Sequence, residues 1–117
     1  MKLSKIILTG LFLTLTTNAM AEGDATAGKA KFEMYCGSCH GNTGAGDGPA
    51  SSALNPKPRN LQDAAYMGGK TDDHLKKVIA EGGPAVGLSA SMPAWKAALN
   101  DQDILNVIAY IRTLAKK

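Results

Sequence analysis

Cys36-Gly37-Ser38-Cys39-His40 sets two thiols three positions apart, with an imidazole directly after the second. On one helical turn, two such thiols can each bond a vinyl group on the same edge of a porphyrin. The histidine then lies under the iron, where it can coordinate it. C-x-x-C-H is the attachment pattern for a c-type haem. The chain has 2 cysteines in all, so this stretch accounts for both.

Other uses of the same residues fit less well. A thioredoxin-like dithiol sits in a βαβ unit, and the sequence shows no alternation of strands and helices. A zinc site takes four ligands, usually in two pairs, but there is no second cysteine pair and His74 is the one other histidine. A disulfide across two residues would be strained and would close almost no loop.

The first 21 residues read as an export signal. Lys2 and Lys5 form a positive start, Ile6 to Thr17 an apolar run, and Ala19-Met20-Ala21 a small-x-small cleavage site. The apolar run is too short to span a bilayer. Cleavage after about Ala21 leaves residues 22–117 as one small domain. The formal charge of +3, from 13 Lys and Arg against 10 Asp and Glu, falls to near neutral once Lys2 and Lys5 are removed. No concentrated basic face suggests nucleic-acid binding.

Only 5% of residues are aromatic, and a domain of this length is close to the size at which a core becomes marginal. A buried haem supplies a large apolar body, and its burial is worth roughly 25 cal/mol per Å². The chain without haem is therefore expected to be largely unfolded.

An all-α pattern of three to four helices with long loops follows the signal. Asp24 caps a first helix whose Ala25, Gly28, Phe32 and Tyr35 share a face and which runs into Cys36. Glycines and prolines punctuate 41–60, a loop with one turn around 50–54; wrapping a cofactor edge explains its length. Leu61 to Met67 reads as a short helix ended by Gly68-Gly69. Thr71 caps a helix with Leu75, Val78 and Ile79 inward, which Gly82-Gly83-Pro84 stops. Residues 85–94 form another loop. Asn100 caps the last helix, with Ile104, Val107, Ile108, Ile111 and Leu114 as its apolar stripe and Lys116-Lys117 at its negative end. No stretch reads as a strand.

A second protein ligand would close the iron and favour electron transfer over gas or peroxide chemistry. Met34 stands on the same helix as Cys36 and cannot reach the opposite haem face. Met67 is geometrically possible. Met92 ranks above it, because Pro93 biases it toward an extended backbone that presents the thioether in a defined direction. Core filling is the ordinary use of a methionine. His74, in the first turn of a charged helix, reads as a solvated surface side chain.

Taken together, the chain resembles a small monohaem class I cytochrome c of the bacterial periplasm. The resemblance rests on Gly28 and Phe32 ahead of Cys36-Gly37-Ser38-Cys39-His40-Gly41, on Gly44-Ala45-Gly46-Asp47-Gly48-Pro49, and on Pro56-Lys57-Pro58-Arg59-Asn60-Leu61. It continues through Ser91-Met92-Pro93-Ala94-Trp95 to a terminal helix carrying Tyr110. It implies the class I fold wrapped around one haem c held by two thioethers, with His40 and Met92 as iron ligands. It implies that Gly28 and Phe32 touch Tyr110, and that a proline carbonyl accepts a hydrogen bond from His40; Pro58 is favoured over Pro56. Arg59 and Trp95 are expected near the propionates.

The implied function is a soluble one-electron carrier, not an enzyme, and a monomer. A membrane-bound quinol-oxidising complex is the expected donor, and a terminal oxidase or periplasmic reductase the expected acceptor. The lysines do not form a dense ring, so docking should depend only modestly on ionic strength. The competing functions are a catalytic or gas-sensing haem protein with an open sixth position, and a haem-free thiol oxidoreductase.

Overall fold

A computed structural model of the chain describes residues 7, 9–13 and 23–116. Lys2, Lys5, half of the apolar run from Ile6 to Thr17, the Ala19-Met20-Ala21 cleavage site and Lys117 lie outside the described residues. No helix among the described residues is long and apolar enough to cross a membrane.

Helix α1 covers Ala25–Tyr35 and is capped by the Asp24 carboxylate, which accepts from the backbone N–H of Thr26 and Ala27. As the sequence suggested, the helix runs into Cys36, which caps it by donating its N–H to the Phe32 carbonyl. Gly37–His40 follow as a separate single turn, α2. Gly41, at φ +78°, ends that turn in a conformation that favours glycine.

The loop after α2 folds back on it. Gly46 N–H donates to the His40 carbonyl (2.7 Å), and Ala50 N–H donates to the Ser38 carbonyl (2.8 Å). Its one turn of 3₁₀ helix is Ser51–Ala53. The next helix begins later than the sequence suggested: α3 is Ala64–Gly68, because Asp63 caps it by accepting from Tyr66 N–H. Helix α4, Asp72–Glu81, starts at its Thr71 cap and stops at Gly82. A 3₁₀ turn, Gly83–Val86, opens the loop that follows.

Helix α5, Asp101–Thr113, carries a capping box between Asn100 and Asp103. It ends before Lys116, which pairs instead with Asp63 in an isolated bridge, so Arg112 is the basic residue of its last turn. The expected three to four helices are thus three long ones, α1, α4 and α5, plus the single turns α2 and α3.

Helices α1 and α5 cross, and the crossing sets the core. Phe32, Leu99, Ile104 and Val107 are the largest fully buried side chains. Phe32 and Tyr110 meet edge to face, with centroids 5.3 Å apart. Gly28 lies against the Asn106 carbonyl, one turn before Tyr110, where a Cβ would overlap the backbone. Arg112 ties α5 to the corner between α3 and α4. It donates to the carbonyls of Met67 (2.8 Å) and Lys70 (2.5 Å) and to the Asp72 carboxylate.

Candidate cofactor site

Burial against α5 forces α1, α3 and α4 to leave a space between them. That space is a cavity of about 590 Å³ walled by the end of α1, α2, the 54–63 segment, α3, α4 and the 88–95 loop. Its size lies within the ordinary range for small-molecule and cofactor sites, ~300–1,000 Å³. Phe32, Leu61, Leu75, Ile79, Val107 and Ile111 give it apolar walls.

All seven residues singled out by the sequence line this one cavity: Cys36, Cys39, His40, Pro58, Arg59, Met92 and Trp95. Both thiols are free, with Cys36 buried and Cys39 half-buried. Burial, helped by the neighbouring Cys39, pushes the Cys36 thiol up to about 12. A thiol held that far from ionisation makes a poor redox dithiol.

His40 is half-buried, and desolvation lowers its pKa from the usual imidazole value against an opposing contribution from the Arg59 carbonyl. That carbonyl lies 3.4 Å from Nδ1. The acceptor expected at Pro58 is therefore one residue further on. The Pro58 carbonyl is turned instead onto Gly46, where a Cβ would come within 2.6 Å of its oxygen.

Met92 is half-buried, and its backbone is fixed on both sides. Its N–H donates to the Ser89 carbonyl (3.2 Å), and its own carbonyl accepts from Gly83 N–H (2.9 Å). Met67 also lines the cavity but is 2% exposed, in the core under Arg112. Met34 points away and is 70% exposed.

His74 is not the surface side chain its charged surroundings suggested. It is half-buried and lines the cavity, because the Thr71 cap fixes a phase that puts 74, 75 and 78 on the same inner face. Sequence reasoning also missed Tyr66. Its ring lies between the Arg59 guanidinium (3.9 Å) and the Lys70 ammonium (4.8 Å), and all three line the cavity. Tyr35 and Trp95 pack together at another part of the wall, with centroids 5.5 Å apart.

These residues fit a haem. The walls are apolar and deep, and the donor set comprises two thiols, an imidazole and a thioether. The family model described as cytochrome c oxidase, cbb3-type, subunit III matches residues 23–111. Cytochrome c-554(547) of Halothiobacillus neapolitanus is 37% identical over 94 residues, covering 79% of this chain and 98% of that protein. The cbb3-type cytochrome c oxidase subunit CcoP of Azospirillum sp. (strain B510) is 28% identical over 108 residues; the match covers 92% of this chain but 34% of that subunit.

Among solved structures, a chain of the reducing HAO-like protein complex of Kuenenia stuttgartiensis superposes with a TM-score of 0.65 at 26% identity. That match covers 81% of this chain and 44% of the other. The KustC0563 c-type cytochrome gives a TM-score of 0.62 at 21% identity, covering 76% and 98%, and shows the shared fold. The apolar cavity with its C-x-x-C-H wall and the match over residues 23–111 together place this chain in the c-type cytochrome family described as cytochrome c oxidase, cbb3-type, subunit III, as an all-helical electron-transfer protein with covalently attached haem c.

Proposed function

We propose that this chain is a soluble, monomeric one-electron shuttle of the periplasm, with a haem ligated by His40 and Met92 and bonded through Cys36 and Cys39. When bound, the haem supplies a single iron that exchanges one electron between its ferrous and ferric forms. The observation that carries this reading is the convergence of Cys36, Cys39, His40 and Met92 on one apolar cavity. His40 offers a neutral imidazole whose other nitrogen faces a carbonyl, the arrangement that orients a ligating histidine. Met92 offers a soft, uncharged sulfur, which favours the reduced state and raises the potential. Arg59 and Trp95 are positioned on the cavity wall to donate to the haem carboxylates, while Pro58 contributes wall.

Export follows from the sequence of residues 1–21, with cleavage after about Ala21. The donor is a membrane-bound quinol-oxidising complex. The acceptor is a terminal oxidase or a periplasmic reductase, and similarity to a cbb3-type oxidase subunit supports the oxidase.

The test is the absorption spectrum of the purified holoprotein, oxidised and reduced, with and without carbon monoxide. A low-spin spectrum with the methionine–ferric charge-transfer band and no response to carbon monoxide is expected. Met92→Ala should abolish that band and admit carbon monoxide, whereas Met67→Leu should not. A wild-type protein that binds carbon monoxide readily would sink the closed-site reading and bring a catalytic or sensing role forward. The mass of the periplasmic protein should show loss of residues 1–21 and gain of one haem.

A further inference from the structure

We infer that Tyr35 is a positioning residue for Met92, acting through its ring contact with Trp95. This rests on the ligand role proposed above for Met92. The segment that carries Met92 hangs from α4. Among the described residues, every hydrogen bond made by 82–96 ends within the segment, on α4, or on the turn that follows it. Trp95 N–H donates to the Ile79 carbonyl, Lys96 N–H to the Ala80 carbonyl, and Lys96 Nζ to Glu81. None of these bonds reaches α1 or α2.

The Tyr35–Trp95 pair spans that gap. The rings lie at 60° with centroids 5.5 Å apart. Tyr35 directly precedes Cys36, and Trp95 ends the loop stretch Met92-Pro93-Ala94-Trp95. The pair therefore joins the wall that holds the attachment thiols to the wall that holds the thioether, and both rings line the cavity.

Loss of the contact leaves the Met92 segment with no hydrogen bond or aromatic pair to α1 or α2 among the described residues, and only general core packing on that side. Thioether departure from the sixth position then becomes easier, while α1, α2 and His40 keep their own hydrogen bonds. The Tyr35 hydroxyl makes no hydrogen bond among the described residues, so the ring alone carries the effect.

Carbon monoxide uptake by the ferrous holoprotein reads this directly, because it requires the sixth position to open. Tyr35→Ala and the bulkier Tyr35→Leu should speed uptake about 3- to 10-fold, the range set by one aromatic pair. Tyr35→Phe should match the wild type. Tyr110→Phe, which loses the bond to the Asn42 carbonyl (2.9 Å) at the far side of α1, gauges general loosening and should also match the wild type. Unchanged uptake in Tyr35→Ala and Tyr35→Leu, with Met92→Ala wide open, would overturn the positioning role and leave the ligand reading standing. Equal gains in Tyr35→Ala and Tyr110→Phe would likewise overturn it. If Met92→Ala leaves the spectrum unchanged, the ligand reading and this inference fall together.

Discussion

Nδ1 of His40 lies 3.4 Å from the carbonyl oxygen of Arg59. A carbonyl can only accept, so the contact requires the tautomer protonated at Nδ1 and leaves the other ring nitrogen unprotonated for a metal. The loop that brings the carbonyl there is itself held by backbone bonds. Gly46 N–H donates to the His40 carbonyl (2.7 Å), and Leu61 N–H donates to the Gly44 carbonyl (2.7 Å). The arrangement does not depend on the Arg59 side chain.

This contact leads to a prediction for acid stability. Burial holds the His40 pKa below its ordinary value, so the folded protein favours the neutral ring. The unfolded chain takes up the proton first, near the ordinary imidazole value of about 6.5. Stability is therefore fully present above that value and is lost as pH falls through the folded pKa. Ligation of iron demands the same neutral ring and has the same sign. The guanidinium midpoint of the holoprotein should fall as the pH is lowered through the window below about 6.5. A midpoint flat across that window would show that His40 is not held neutral by the fold.

The haem-free chain should be largely unfolded. At about 24 cal/mol per Å³, an empty cavity of about 590 Å³ costs roughly 14 kcal/mol. That is an upper figure because the mouth is open, yet it rivals the whole stability of an ordinary domain, ~5–15 kcal/mol. The thiols report the outcome. In a folded haem-free chain Cys36 is buried and its thiol is raised to about 12, so alkylation would favour Cys39. In an unfolded chain the two react alike. Equal alkylation and a circular dichroism spectrum without native helix are expected; a strong preference for Cys39 would mean that the cavity survives empty.

The features legible in the sequence were the local ones. Asp24, Thr71 and Asn100 cap their helices because a short polar side chain reaches back to N–H groups two or three residues on, and nothing distant competes. The thiol pair and His40 are likewise fixed within one turn. What the sequence could not give depended on where separate segments meet. The choice between the Pro58 and Arg59 carbonyls turns on Gly46 packing against the first of them. His74 faces the cavity because of helix phase, although Asp72 and Asp73 beside it suggested solvent. The Tyr35–Trp95 contact also follows from tertiary packing, which carries no periodicity to read.

Gly28 gives a prediction opposite to the helix-propensity rule. Alanine in a helix interior ordinarily gains about 1 kcal/mol over glycine. Here a Cβ would overlap the Asn106 carbonyl, which is backbone and cannot swing aside. Gly28→Ala should therefore lose about 1–3 kcal/mol by overpacking, at roughly 4–8 °C of melting temperature per kcal/mol. Thermal unfolding followed at the haem absorption band checks it. A raised melting temperature would mean that α1 and α5 can part without cost.

Arg112 should matter through the carbonyls it caps more than through its ion pair. Arg112 donates to the carbonyl of Met67 in the last turn of α3 (2.8 Å), which Lys70 N–H also reaches (3.1 Å), and to that of Lys70 just beyond it (2.5 Å). Its other bonds go to Asp72, 2.8 Å away, whose side chain is 69% exposed and so well screened by water. Arg112→Met should cost about 1.5–3 kcal/mol, the range for hydrogen bonds from a charged group. Arg112→Lys should recover less than half of that, because an ammonium cannot fork between two carbonyls and a carboxylate. Asp72→Asn removes the ion pair and one acidic charge from the first turn of α4, and should cost about 1 kcal/mol or less. Denaturant midpoints of the three holoproteins at low and high salt decide the matter. If Asp72→Asn costs as much as Arg112→Met, and the loss shrinks with salt, the ion pair rather than the carbonyl cap holds the α3–α4 corner against α5.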